Sequence, residues 1–269
     1  MIKKIVALVL ALVLVFALTA CSEGGKKDSK KLVVGATPAP HAEILEFVKP
    51  ILAEQGIELE IQEYTDYVLP NQALDAGDID ANYFQHLPYL ENFNENNGTE
   101  LVSAAAIHFE PLGLYAGRSS DLSSIPEGAS ISVPNDATNE ARALQPLAAQ
   151  GNITLPEGAG LDVTARDVVD NPYNVEIVEI AAEQVPRTLA DVDFAVANGN
   201  YALEAGITDK LLVTEAKDSE GATTFANIIA VKKGHENDAN IVALCKALQT
   251  EEVRSFIQEK YGDSVVPMF

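Results

Sequence analysis

Arg142 and Asn139 are the pair in this sequence best equipped to hold an anion. The guanidinium is a planar fork that matches a carboxylate in bidentate geometry. Asn139 stands three residues earlier, on the same face near the start of a helical segment, where backbone donors and the helix dipole also favour negative charge. The plain alternative is a surface arginine paired with Glu140 or another acid. Tyr67, Phe84, His86 and Tyr89 form a second group, in the polar-aromatic stretches 66–74 and 82–90. Together they could wall a pocket for a thioether, since sulfur packs at aromatic edges for about 0.3–1.5 kcal/mol per contact. Singly, each aromatic is as well explained as core, and His86 as a side chain bonded to a neighbouring carbonyl. Asn198 and Asn227 carry amides that both donate and accept, although Asn198-Gly199 also suits a turn. Glu110, in His108-Phe109-Glu110-Pro111, could balance an ammonium. This inventory fits a small zwitterion with an apolar tail.

Other chemistries find less support. No Gly-x-Ser-x-Gly elbow accompanies the four histidines, so a hydrolase lacks its nucleophile and no enzyme is expected. The histidines are scattered, without His-x-x-x-His or Cys-x-x-Cys spacing. No metal or other cofactor is expected, and zinc capture by His86 and His108 stays open only as an alternative. A lipid-tethered adhesin would need no pocket at all. The formal net charge of −22 argues against nucleic acid, which demands clustered Lys and Arg.

The elements that must position these residues follow α/β grammar. Residues 32–36 form a short apolar run that reads as a buried strand. Residues 41–55 carry apolar side chains at helical spacing, and 57–61 alternate strictly as a strand does. A helix over 69–75 and a strand starting at 79–81 complete one unit, with a mostly parallel sheet. The second unit has strands at 130–133, 175–180 and 194–197, with helices over 139–150 and 183–190. Residues 112–116 and 226–231 bracket it, and are expected to cross between two lobes as paired hinge strands. Helices over 240–249 and 251–261 would return to the first lobe. The fold class is therefore α/β and bilobed, like a periplasmic binding protein, with a two-strand hinge. Lobe 1 takes 31–113 and 226–269, and lobe 2 takes 114–225. Cys245, on the apolar face of one of the last helices, reads as core filler.

The amino terminus gives the address. Lys3 and Lys4 precede an unbroken apolar run over 5–16, and Leu18-Thr19-Ala20-Cys21 follows. That is a signal peptide over 1–20, too short to span a bilayer comfortably. Cys21 at the cut resembles a lipobox cysteine, and two acyl chains there would make a stable anchor. Residues 21–30 would be a lipid-anchored flexible tether. The leader holds two lysines and no acid, so the mature chain is more negative still.

Over nearly the whole mature chain, the strings Phe84-Gln85-His86, Pro134-Asn135-Asp136-Ala137-Thr138-Asn139-Glu140-Ala141-Arg142 and Asn198-Gly199-Asn200-Tyr201-Ala202 resemble the methionine-binding lipoproteins of ABC importers, the NlpA family. The resemblance implies a bilobed fold that carries L-methionine, or a close analogue, to an ABC permease from the outer face of the cell membrane. It implies ligand contacts at Tyr67, Phe84, His86, Tyr89, Glu110, Asn139, Arg142, Asn198 and Asn227. Gly199-Asn200 and His108-Phe109-Glu110 fall where relatives differ. Another small amino acid, a methionine derivative or a dipeptide is the alternative ligand.

Overall fold

The structure, a computed structural model, describes residues 30–218 and 220–269. The expected leader, Cys21 and the tether up to residue 29 lie outside the described residues. Among those described, no helix is long and apolar enough to cross a membrane.

Two α/β lobes share the chain. The first opens with β1 (Lys30–Ala36), α1 (Glu43–Glu54), β2 (Ile57–Glu63), α2 (Leu69–Ala76), β3 (Ala81–His86), α3 (Leu87–Asn97) and β4 (Leu101–Phe109). The second holds β5 (Gly113–Ala116), β6 (Ser130–Pro134), α4 (Ala137–Ala149), β7 (Glu176–Ile180), β8 (Phe194–Ala197), α5 (Gly199–Glu204) and β9 (Leu211–Thr214). After α6 (Glu220–Thr224) the chain re-enters the first lobe with β10 (Ala226–Lys232), α7 (Ala239–Leu248), α8 (Glu251–Tyr261) and β11 (Val266–Pro267).

The first sheet runs β11-β4-β10-β3-β1-β2 and the second β7-β6-β8-β5-β9. The expectation of mostly parallel sheets is corrected. β1 pairs in parallel with β2 and β3, but β10 is antiparallel to both its neighbours. In the second sheet β6 is parallel to β7 and β8, while β5 is antiparallel to β8 and β9. β5 and β10 each enter their sheet from the other lobe rather than through a βαβ crossover within the same sheet.

The paired hinge strands are also corrected. β5 and β10 lie wholly inside different sheets and do not pair with each other. Both are buried apolar runs, which find complete ladders only within a sheet. The crossings are the flanking runs 110–112 and 215–225. They meet where the Glu215 amide donates to the Leu112 carbonyl at 3.1 Å and the Leu112 amide donates to Glu215 Oε2 at 2.8 Å.

Helical spacing works as read in α1, where Ile44, Leu45, Val48 and Leu52 are buried. The expected helix at 183–190 is instead a 3₁₀ segment, Ala182–Thr188, with Pro186 inside it removing a donor. Cys245 packs against the main core of the first lobe, and burial pushes its thiol up to about 11.

The polar stretch at 82–90 takes in most of β3 and the first turn of α3. β3 is buried along its whole length. Its amides are satisfied within an Asn71–Gln85–Asn82 cluster: Asn71 Nδ2 donates to Gln85 Oε1 at 2.9 Å, Gln85 Nε2 to Asn71 Oδ1 at 2.7 Å, and Asn82 Nδ2 to Asn71 Oδ1 at 2.8 Å. The cluster clamps α2 onto β3 and fixes the strand that ends in His86.

Candidate functional site

A cavity lies between the sheets, at the carboxyl ends of their parallel strands, where open α/β sheets place ligands. All nine sequence-predicted residues line it: Tyr67, Phe84, His86, Tyr89 and Asn227 from the first lobe, Asn139, Arg142 and Asn198 from the second, and Glu110 at a crossing. Gln85, Gly199 and Asn200 complete the wall. About 330 Å³ of non-atom space, part of it open to solvent, lies among them, and the closed walls leave little of it free.

One end is aromatic. The Tyr67 ring lies 5.7 Å from Phe84, 5.7 Å from Tyr89 and 4.8 Å from Tyr201. These are offset and edge contacts of the favoured kind. Tyr89 donates to the Tyr67 carbonyl at 3.0 Å, holding the loop after β2 against α3.

A hydrogen-bonded chain crosses from this wall into the second lobe. His86 Nδ1 accepts from the Tyr89 amide at 3.2 Å, so its proton sits on Nε2, which donates to Asn139 Oδ1 at 3.1 Å. Asn198 Nδ2 donates to the same oxygen at 2.8 Å. Asn139 Nδ2 meets both Asp136 oxygens, at 2.9 and 3.0 Å. Asp136 also caps α4 through the Asn139 amide at 3.0 Å. Asn139 is thus consumed within the protein, and it joins the lobes rather than waiting for a partner. Burial, helped by the Arg142 charge, holds His86 neutral, its pKa lowered to about 3. Asn198 Oδ1 is buried without a hydrogen-bond partner among the described residues.

The expected free fork of Arg142 is also occupied, by an acid that spacing could not have named. Nε donates to Glu215 Oε1 at 2.9 Å and Nη2 to Glu215 Oε2 at 2.5 Å, with Nη2 also reaching the Glu110 carbonyl at 2.9 Å. Glu140, the nearer candidate, instead accepts from the Ala165 amide. The guanidinium lies 4.3 Å from the Phe225 ring. Arg142 therefore fastens both crossings and also lines the cavity.

Glu110 sits in a buried scaffold. His108 Nε2 donates to Glu110 Oε1 at 2.7 Å, and His41 Nε2 lies 3.3 Å from the same oxygen and 3.0 Å from Asn227 Oδ1. The outer nitrogens are taken too, His41 Nδ1 by the Thr37 hydroxyl at 2.7 Å and His108 Nδ1 by the Tyr83 hydroxyl. Burial lowers His41 to about 4 and His108 to about 3. Burial also raises Glu110, against the opposing pull of His41, the Asn200 backbone and Arg142. His41, His108 and Glu110 lie close enough to hold a cation, but every imidazole nitrogen has an organic partner. Hydrogen bonding to Glu110 accounts for the cluster. His86, paired with His108 in the zinc alternative, belongs to the other chain of bonds.

The lobes are closed on one another. Tyr67 donates to Asn200 Oδ1 at 2.5 Å, Tyr201 to the Thr65 carbonyl at 3.3 Å, and His86 to Asn139 as above. Gln85, Gly199 and Asn200 are wall residues outside the sequence-predicted set, although Asn200 shares its string with Asn198.

The NlpA lipoprotein family model matches residues 32–269. The methionine-binding lipoprotein MetQ of Bacillus subtilis is 38% identical over 266 residues, covering 96% of this chain and 97% of that protein. Among solved structures, lipoprotein Tp32 of Treponema pallidum superposes with a TM-score of 0.84 at 41% identity, covering 89% of this chain and all (100%) of that one. A nutrient-binding protein of Burkholderia cenocepacia, bound to methionine, gives 0.83 at 39% identity over 88% of this chain and 100% of its own.

Proposed function

The chain belongs to the NlpA lipoprotein family, and from that premise we propose that it captures methionine between its lobes and delivers it to an ABC importer. It works outside the cytoplasmic membrane, tethered by lipid on Cys21, as a binding protein without a catalytic step. The observation that carries this reading is the closed cavity itself. Its lining combines aromatic rings, Tyr67, Phe84 and Tyr89, with an acid, Glu110, and a cation, Arg142.

A methionine zwitterion matches that combination. Its ammonium goes to the Glu110 carboxylate and to Asn198 Oδ1, a buried acceptor with no partner among the described residues. Its carboxylate goes to Arg142 Nη1 and the Asn227 amide. The thioether packs against Tyr67, Phe84, His86 and Tyr89. Asn139 acts one step back, aligning His86 and Asn198. Contacts from both lobes exist together only on closure, so ligand shifts the population toward the closed form. The closed protein then docks on the permease.

Thermal unfolding of the purified protein with each free amino acid, and with zinc as a control, tests the reading. Methionine at 100 times its Kd should stabilise the fold by about 2.7 kcal/mol through mass action. A larger shift with another amino acid, or with zinc alone, would overturn the assignment.

A further inference from the structure

We infer that Asn200 is a direct ligand contact, its Nδ2 donating to the carboxylate of the bound solute; this rests on the amino-acid reading above. Asn200 lines the cavity and is 2% exposed. Its Nδ2 is buried with no hydrogen-bond partner among the described residues. A buried donor left unpaired is costly and uncommon, so the atom needs an acceptor that arrives from outside.

The side chain's orientation is fixed by its other end. Tyr67 donates to Asn200 Oδ1 at 2.5 Å, a length suited to O–H···O and too short for N–H···O. The Asn200 backbone amide hydrogen-bonds the Glu110 carboxylate. Asn200 therefore stands between the aromatic wall and the acid, where the head of an amino acid meets its tail.

An inventory of donors then assigns the partner. Asn139 Nδ2 sits against both oxygens of the Asp136 carboxylate, and Asn139 Oδ1 is taken twice. Two of the three Arg142 nitrogens are held by Glu215. Arg142 Nη1, Asn227 Nδ2 and the second hydrogen of Asn198 Nδ2 can also turn to a carboxylate, but Asn200 Nδ2 is the lining donor that is buried with no partner among the described residues. A methionine zwitterion offers strong acceptors only at its carboxylate oxygens, the sulfur being a weak one. Asn200 thus takes the role that spacing gave to Asn139, and its bond to Tyr67 makes it a specificity-determining residue that exists only in the closed form.

The test is calorimetry with L-methionine and with L-methioninamide on the wild type, Asn200→Asp and Asn200→Ala. Asn200→Asp keeps an oxygen for Tyr67 and replaces the donor by an acceptor. Loss of one hydrogen bond to a charged group should weaken methionine roughly ten- to hundred-fold in both variants. Methioninamide presents N–H donors where methionine has an oxygen, so Asn200→Asp should bind it within about three-fold of wild type. Methionine binding by Asn200→Asp within three-fold of wild type would overturn the assignment. So would equal losses for both ligands, which would mark a purely structural role through Tyr67. A wild type that binds neither ligand overturns the methionine reading itself, a result distinct from both. Melting of the ligand-free variants checks the fold. Should Asn200→Asp fail to fold, Asn200→Ala decides: a ten-fold or greater selective loss of methionine supports the contact, and an unchanged Kd refutes it.

Discussion

Arg142→Ala is the substitution whose consequence the tertiary structure changes most. From sequence it is a pocket mutation that leaves the fold intact. In the structure the Arg142 and Glu215 side chains are 4% and 19% exposed and doubly hydrogen-bonded. Removing the guanidinium strands a carboxylate beside both crossings. Breaking a buried pair costs about 3–5 kcal/mol. Glu215 keeps some solvent and the Leu112 amide, which places the cost near the lower bound, about 3 kcal/mol. For a chain of this size that lowers Tm by roughly 6–12 °C. Much of the loss is the orphaned charge rather than the missing attraction. Glu215→Gln placed on top of Arg142→Ala should therefore recover about 1–2 kcal/mol, because the amide costs less to bury unpaired than a carboxylate does. Urea unfolding of the wild type, both single variants and the double variant, followed by circular dichroism, gives the coupling energy directly. An Arg142→Ala protein within about 0.5 kcal/mol of wild type, or one that Glu215→Gln further destabilises, would refute the reasoning.

Two other perturbations have definite signs. A Cβ on Gly199 would lie 2.9 Å from Glu110 Cβ and 3.2 Å from Glu110 Oε2. Glu110 is pinned by two histidines and cannot step aside, so Gly199→Ala should cost about 1–3 kcal/mol. Because Glu110 is displaced, methionine binding in calorimetry should weaken roughly 5- to 150-fold, and an unchanged Kd would count against the ammonium assignment. His41, His86 and His108 are held neutral, with pKa values near 4, 3 and 3 against 6.5 when free. Above pH 6.5 they are neutral folded and unfolded, and contribute no slope. Between pH 6.5 and about 4 the unfolded chain takes up protons that the folded chain refuses, so stability falls, by up to about 1.4 kcal/mol per pH unit for each histidine. Glu110, raised by burial, takes up a proton first in the folded state and offsets part of that loss. Urea midpoints at pH 7, 5.5 and 4.5 should fall in order, and a flat series would mean that these rings are not neutral.

The α/β class was legible because it rests on local periods. Ile44, Leu45, Val48 and Leu52 recur at helical spacing, and β2 alternates. The residue types of the pocket were legible for a related reason. A carboxylate needs an arginine or amides and an ammonium needs an acid, and dense stretches such as 82–90 supply the aromatics. What sequence alone could not reach was partnership. Glu215 lies 73 positions from Arg142, and Asn200 lies 133 from Tyr67. Nothing local in either segment announces those bonds. Which donors in the pocket are already spent and which remain for a ligand is decided by contacts between the lobes. Hydrogen bonds depend on distances that only the closed chain sets. Sequence therefore determined the menu of groups, and tertiary structure decided that Asn139 bonds Asp136, His86 and Asn198, that Arg142 pairs with Glu215, and that Asn200 Nδ2 stays without a partner among the described residues.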